Sequence, residues 1–275
     1  MQITVARGPR RHYLMCRPTH FTVSYAINAW MDPSKPVDAG LAMTQWSALR
    51  DAYRRLGHIV EEIEPLPGLP DMVFSANGAF VVDGKVYAAQ FRNPQRADEA
   101  PAYRTWFERA GYEVQPPKHV NEGEGDFLLI EDTPFGEIVL AGTGFRTDHA
   151  AHAEVQDHFG RPVVTLRLVD PRFYHLDTAL FPLARGNVAY YPGAFSEGSR
   201  QALERMFPQA VIASEEDAAV LGLNAVSDGR HVVLNAEATG LAAQLDGHGY
   251  VPIPVDLSEL RKAGGGPKCC TLEIR

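Results

Sequence analysis

Short apolar runs alternate along this chain with amphipathic stretches, and the alternation recurs about every 50 residues, the mark of a repeated supersecondary unit. The first unit runs from apolar His12-Tyr13-Leu14-Met15-Cys16 through a loop to an amphipathic helix over Val37 to Leu56, stopped at Gly57, and a strand over His58 to Ile63. In the second, Val73 to Val82 and Lys85 to Phe91 form a hairpin on Asp83-Gly84, followed by a helix over Asp98 to Ala110, Gly111 and a strand from Tyr112. The third has Phe127 to Glu131, a turn around Thr133-Pro134-Phe135-Gly136, Glu137 to Ala141, a helix over Thr147 to Phe159 and a strand over Pro162 to Leu166. The fourth has Tyr174 to Leu183, the turn Ala184-Arg185-Gly186-Asn187, Val188 to Tyr191, a helix over Glu197 to Met206 and Ala210 to Ile212. The last runs through Ala225-Val226, the turn Asp228-Gly229, His231 to Asn235, a helix over Ala238 to Leu245 and Tyr250 to Pro254, closing on a strand over Cys269 to Ile274.

A strand-turn-strand-helix-strand unit cannot bury its own apolar face, whereas five set around an axis bury a common centre, so a closed α/β ring is expected. The two Asp-Gly turns demand antiparallel pairs, which disfavours a doubly wound parallel sheet. No linker or composition shift interrupts the 275 residues, so 1–275 reads as one domain.

Composition narrows the function. Hydrophobic residues make up 45% and charged residues 22%, ordinary values for a globular protein, and 26 Lys and Arg against 34 Asp and Glu leave a formal charge of −8. That balance argues against a nucleic-acid or anionic-membrane binder. No apolar run approaches the roughly 20 residues of a spanning helix, and Met1 to Arg7 lacks the charged-then-apolar order of a signal peptide, so a cytoplasmic location is expected. Cys16, Cys269 and Cys270 form neither a paired framework nor a metal spacing. His149, His152 and His158 on one helix lack a carboxylate or cysteine partner, so a solvated face is expected and no metal. No cofactor is expected.

Four polar clusters sit where units begin: Asp71 with Asn77, Glu122-Gly123-Glu124-Gly125-Asp126, His175-Leu176-Asp177, and Cys269 after three glycines and Pro267. The glycines allow a sharp turn and a close approach of backbone to ligand. In a strand Cys269 and Cys270 point to opposite faces, leaving one of them as a nucleophile. A thiol nucleophile needs a positioned His and a carboxylate to orient it, and further acids suit a cationic substrate. Taken singly, each has a plainer reading as a turn residue, a loop or a core histidine; their matching places in separate units favour the joint one.

These residues resemble a family. Asp71-Met72-Val73-Phe74, the 122–126 run, His175-Leu176-Asp177 and Gly264-Gly265-Gly266-Pro267-Lys268-Cys269, in order across nearly the whole chain, are similar to the guanidino-group-modifying (pentein) superfamily, whose members include dimethylarginine dimethylaminohydrolase, arginine deiminase and arginine:glycine amidinotransferase. The resemblance implies a five-bladed α/β propeller and a cysteine that attacks the guanidinium carbon, giving a covalent amidino-thioether that water resolves. It implies Cys269 as nucleophile, His175 as acid and then base, and Asp177 and Asp126 on guanidinium nitrogens, with Asp71 and Asn77 completing the substrate cage. Hydrolase members have a Glu three residues before the Asp of the third unit; here that place is Gly123, and either Glu122 or Glu124 can orient His175. Asn77 stands where dimethylarginine hydrolases carry a second acid. With Met15-Cys16-Arg17-Pro18 and Tyr25 to Met31, it resembles the arginine dihydrolase branch. Arg92 and Arg146 are placed to grip a substrate carboxylate, and Asn28 to bind the head group or cap a turn. The implied activity is C–N cleavage at the guanidino group of arginine or an N-substituted arginine, releasing ornithine or citrulline with ammonia or amine. The alternatives are dimethylarginine hydrolysis to citrulline and dimethylamine, and a non-catalytic arginine-binding ring; lyase or transferase chemistry is less expected. The expected partner is a small molecule, with self-association left open.

Overall fold

Local sequence sets most of the elements in the computed structural model, which describes residues 8–134, 136–184 and 186–275. Met1 to Arg7, and Phe135 and Arg185 from two of the expected turns, lie outside these. Asp38 caps the first helix, α1 (Ala39–Leu56), by accepting from the Leu41 N–H, and Gly57 ends it in the left-handed conformation at φ 94°. Asp83 and Gly84 both take positive φ, 51° and 71°, as a tight two-residue hairpin requires, and join β3 (Ala79–Val82) to β4 (Lys85–Ala88).

The described strands form five sheets of three. With β1 His12–Cys16, β2 Ile59–Ile63, β5 Glu113–Gln115, β6 Phe127–Thr133, β7 Gly136–Thr143, β8 Val163–Arg167, β9 Leu180–Pro182, β10 Val188–Tyr190, β11 Val211–Ile212, β12 Val226–Ser227, β13 His231–Asn235, β14 Val251–Val255 and β15 Leu272–Glu273, the sheets are β15-β1-β2, β3-β4-β5, β6-β7-β8, β9-β10-β11 and β12-β13-β14. Each repeats one plan, an antiparallel pair followed by a parallel one. In the first sheet the antiparallel partner of β1 is the C-terminal strand β15, so the end of the chain completes the unit that the beginning opened. The parallel step is bridged by a helix each time, α1, α2 (Glu99–Arg109), α3 (Ala150–Phe159), α4 (Glu197–Met206) or the helix Thr239–Gly247. Trp46, Tyr53, Tyr103 and Phe107 on the first two helices are fully buried, each burial stabilising the fold by about 1.5–3 kcal/mol.

The starts of the units differ from expectation. Val73 to Gly78, expected as the start of a strand, falls in two short 3-10 turns, Pro70–Val73 and Ser75–Gly78; Leu176–Thr178, also expected as strand, is a 3-10 turn before β9, and Gly123–Gly125 forms another before β6. The closing strand is only Leu272–Glu273; Cys269 and Cys270 lie in a tight turn before it, closed by Cys270 N–H to Gly266 carbonyl and Thr271 N–H to Lys268 carbonyl. Strand alternation therefore does not separate the two thiols. Their different surroundings follow from the turn. His152 is a buried core residue rather than part of a solvated face, bonded to Thr165 and the Gly142 carbonyl, and burial lowers it to about pH 4. Among the described residues no helix is long and apolar enough to cross a membrane.

Candidate active site

The irregular unit starts are tied to one another by hydrogen bonds that run from loop to loop and return to their origin. Asn77 Nδ2 donates to the Glu122 carbonyl (3.2 Å), the Leu176 N–H donates to Asp126 Oδ1 (3.0 Å), and Asn224 Nδ2 donates to the Asp177 carbonyl (3.1 Å). Asn224 Oδ1 then accepts from the Cys269 and Gly266 N–H groups (2.9 Å each), and the Ala76 N–H donates to the Cys269 carbonyl (3.0 Å). This circuit brings units two, three, four and five and the cysteine turn to one place. Extended strand could not make it, because strand backbone is already paired in the sheets; the 3-10 turns free it.

Within the circuit stand a thiol, an imidazole and four acids, all nearly inaccessible to solvent. His175 Nε2 meets Glu122 Oε2 at 2.7 Å, and the same oxygen accepts from Arg146 Nη1 at 2.9 Å. Burial opposes the charge on Glu122, yet Arg146 and the bond to His175 outweigh it and hold this carboxyl well below its usual range. Cys269 Sγ donates to Asp177 Oδ2 (3.4 Å) and accepts from Asn224 Nδ2 (3.1 Å). Burial, with the Asp177 charge second, pushes this thiol well above its ordinary value. Burial also pushes Asp177 up to about 7 and Asp126 up to about 6, and raises Asp71.

The decisive feature is what these groups leave unbonded. His175 Nδ1, Asp71 Oδ1, Asp126 Oδ2 and Asp177 Oδ1 are buried polar atoms with no hydrogen-bond partner. An unsatisfied buried polar atom costs about 1–3 kcal/mol, and such a group is an exception that asks for a ligand. Three carboxylate oxygens and one imidazole nitrogen beside a thiol fit a planar cation rich in N–H donors.

Not every residue singled out by sequence belongs to that set. Glu122, not Glu124, meets His175; Glu124 is taken by Lys268 Nζ (2.6 Å), Arg275 Nη1 (3.0 Å) and the Glu273 N–H (2.8 Å). Asn77 is bonded at both ends, its Nδ2 donating to the Glu122 carbonyl and its Oδ1 accepting from Arg96 Nη1 (2.8 Å), and so ties two loops together. Arg146 is committed to Glu122 and the Ile27 carbonyl (2.9 Å). Arg92 lies at the surface on Asp148, and only its backbone N–H reaches Glu122 (3.2 Å). Asn28 caps a turn, its Oδ1 accepting from Trp30 (2.8 Å) and Met31 (3.3 Å) and its Nδ2 bonded to the Ala263 carbonyl (3.0 Å). The three glycines admit protein rather than ligand: a Cβ at Gly265 would lie 2.2 Å from the Phe74 ring and one at Gly266 would lie 3.0 Å from Asn224 Oδ1.

Sequence reasoning missed Asn224, Arg96 and Tyr25. Tyr25 donates to Asp71 Oδ2 (2.8 Å), and Arg96 pairs with the buried Glu99 (2.7 Å) while bonding Asn77 and the Asp71 carbonyl. For Asn224 a signal existed, a polar residue at the start of the fifth unit, the place that yielded a candidate in the three units before it. A cavity of about 600 Å³ beside Ile63, Leu66 and Trp106 shares no residue with the site.

A mixed α/β fold of this plan with a buried Cys–His–carboxylate site defines a class, the pentein-type guanidino-modifying proteins, and the solved structures it matches agree. The N-terminal domain of ArgZ, covalently bound to a reaction intermediate, superposes at a TM-score of 0.92 with 34% identity, covering 96% of this chain and 98% of that one. A dimethylarginine dimethylaminohydrolase adduct with S-methyl-L-thiocitrulline shares the fold at a TM-score of 0.81 and 20% identity, covering 96% of this chain and all of that one. Within that class, residues 17–275 match the family described as N,N dimethylarginine dimethylhydrolase, eukaryotic, and the chain belongs to it. It is 54% identical over 269 residues to an N(G),N(G)-dimethylarginine dimethylaminohydrolase of Mycobacterium tuberculosis, covering 98% of this chain and 87% of the relative. It is 38% identical over 270 residues to the bifunctional arginine dihydrolase/ornithine cyclodeaminase AgrE of Nostoc, covering 96% of this chain but 38% of AgrE, so the chain spans little more than a third of that relative.

Proposed function

We propose that this protein hydrolyses a C–N bond at the guanidino group of arginine or a lightly N-substituted arginine through Cys269. The observation that carries the reading is the set of four unpartnered buried atoms beside the thiol. A guanidinium in that cage satisfies Asp71, Asp126 and Asp177 and removes the negative surroundings that hold Cys269 as a thiol. The thiol gives its proton to His175 Nδ1 as sulfur attacks the central carbon, and the electron pair of the C=N bond moves to nitrogen. With Nε2 committed to Glu122, His175 presents Nδ1 to the leaving nitrogen and protonates it as the C–N bond breaks, leaving an amidino-thioether on Cys269. Water follows, giving a proton to the same nitrogen and forming an O–C bond, and as the C–S bond breaks Nδ1 returns that proton to sulfur and the thiol is restored. Glu122 keeps its charge throughout and stabilises the imidazolium, as Arg146 holds it in place.

Donor count favours arginine. Its guanidinium offers N–H groups on every nitrogen, whereas an asymmetrically dimethylated one leaves a nitrogen without donors facing buried carboxylate. The preference comes from the acids; Asn77 Oδ1 already accepts from Arg96. A second reading, dimethylarginine hydrolysis to citrulline and dimethylamine, is favoured by the 54% identical relative. Incubation with arginine, asymmetric dimethylarginine and agmatine, with products identified as ornithine, citrulline, ammonia or amine, decides between them. Arginine turnover that exceeds dimethylarginine turnover is the expected result; a tenfold or greater preference for dimethylarginine overturns it, and no turnover of any guanidino compound overturns the activity, leaving an arginine-binding protein.

The reading includes residues 1–275 as one catalytic domain and the five sheets as blades of a five-bladed α/β propeller. Support comes from the shared plan of the sheets, from contacts of β15 with β3, β6 with β9 and β9 with β12, and from the loop-to-loop circuit. The protein then needs no other chain to complete the site, and its partner is the small substrate.

A further inference from the structure

We infer that Asn224 is a catalytic residue of this site, its side-chain amide stabilising the thiolate of Cys269 when it forms and aiming it at the substrate. The inference rests on the reading of Cys269 as nucleophile, and it adds a residue from the fifth unit, which had contributed none. Asn224 is fully buried, and its amide is fully used. One N–H goes to Cys269 Sγ (3.1 Å) and the other to the Asp177 carbonyl (3.1 Å), while Oδ1 accepts from the backbone of Cys269 and of Gly266 (2.9 Å each). These four bonds exhaust a carboxamide's capacity, and every one falls on the cysteine turn or on the acid beside it. A side chain that only braced a loop would not need a donor on sulfur.

The charge balance around the sulfur shows why a donor matters. Asp177 faces it from the fourth unit at 3.4 Å and disfavours an anion there, and Cys270 acts in the same sense from the cysteine turn. Tyr174 is near and neutral, its hydroxyl bonded to the Gly264 carbonyl (3.0 Å). Lys268, one residue away, turns its ammonium to Glu124 and the Thr271 carbonyl. Asn224 is thus the neutral group that meets the sulfur with a proton, helped by the Gly266 backbone N–H. It stabilises the anion without adding a cation that would compete with a guanidinium for the three acids. Its Oδ1 fixes the Cys269 backbone in the same act, so the sulfur is aimed by the group that stabilises its anion.

The test reads the thiolate without needing turnover. The rate of Cys269 carbamidomethylation by iodoacetamide is followed against pH by peptide mass, with Cys269→Ala protein identifying the signal. Asn224→Asp keeps the oxygen that accepts from Cys269 and Gly266 but replaces the donor with an anion; Asn224→Ser removes the reach to sulfur. In both variants the alkylation midpoint is expected to rise by about one pH unit or more, with a fall of about tenfold in rate at neutral pH, and kcat to fall in step while KM moves little. A midpoint matching the parent's in either folded variant overturns the assignment, as does loss of fold in both, which would leave Asn224 a structural brace. If the parent turns over no guanidino compound yet the midpoints shift, the activity reading fails and the amide's hold on the thiolate stands. If the parent turns over arginine and the midpoints do not shift, the failure belongs to Asn224 alone.

Discussion

Two groups of buried acids lie close together in this molecule and are treated in opposite ways. Around Cys269, the carboxyls of Asp71, Asp126 and Asp177 each keep one oxygen unbonded, and burial raises all three above their ordinary range. Where the first sheet meets its neighbours, every carboxylate oxygen is answered. Glu124 is bound by Lys268 and Arg275, Glu273 by Arg11 (3.2 Å) and Arg275 (2.6 Å), and Asp228 by His231 Nδ1 (2.8 Å), His58 (3.4 Å) and the backbone of Arg230 and His231. Burial opposes the charge on Asp228 as well, but these bonds outweigh it and hold the carboxyl well below its usual value. Burial alone does not distinguish a working acid from a structural one. What distinguishes them is whether the protein supplies the counter-charge or leaves it to a ligand.

Removing the proposed nucleophile is the most severe way to probe this contrast. Cys269→Ala is expected to lose activity by about 10⁴-fold or more, while Cys270→Ala, in a core position bonded through its carbonyl to Ser75, stays within about tenfold of the parent. Steady-state rates and the mass of a covalent adduct with a haloamidine inactivator check both, and an adduct on Cys270 would reverse the assignment. One step down, His175→Ala is expected to cost about 10²–10⁴-fold. Glu122→Gln is expected to fall in the same range because the imidazole loses its orienting charge and Arg146 is left unpaired. Glu124→Gln separates the two groups. It is expected to lower the melting temperature with kcat little changed, so a large kcat loss there would merge regions that the bonding keeps apart.

The sequence carried the repeat, the units and most helix ends, because each rests on local chemistry: Asp38 and Gly57 cap α1, Asp83-Gly84 permits only a tight hairpin, and apolar periodicity marks the buried faces. It also placed Cys269, His175, Asp126, Asp177 and Asp71 together, because polar clusters at equivalent points of a repeat must converge. What local pattern could not say is which polar atom is already spent. Asn77 and Arg146, expected among the substrate ligands, are bonded to partners 19 and 119 positions away, and Asn28 takes the second of its two expected roles, capping a turn, while its Nδ2 bonds a carbonyl 235 positions away. Reading Cys269 onto a strand failed for a related reason: Cys270 and Thr271 bond back within the turn, which the alternation rule does not foresee.

The smallest expected effects are on stability, and they have opposite signs. Asp228 carries a folded value depressed from 3.8, so its contribution is fully present above the unfolded value and is lost as pH falls below about 4. Asp228→Asn should therefore destabilise the protein by about 1–3 kcal/mol at neutral pH, a deficit that shrinks on acidification. Asp177 is the reverse. Its folded value rises from 3.8 to about 7, so the folded state keeps a proton that the unfolded chain releases, and stability falls as pH climbs from about 4 to about 7. Asp177→Asn removes that penalty. It should abolish most activity yet raise stability above pH 7 by something on the order of 1 kcal/mol, or about 2–4 °C in melting temperature, with no gain near pH 4. Denaturant titrations of both variants at pH 4, 6 and 8 give the comparison directly. An Asp177→Asn protein less stable than the parent at pH 8 would mean that this carboxylate is satisfied without a ligand, and the distinction between the two groups of acids would collapse.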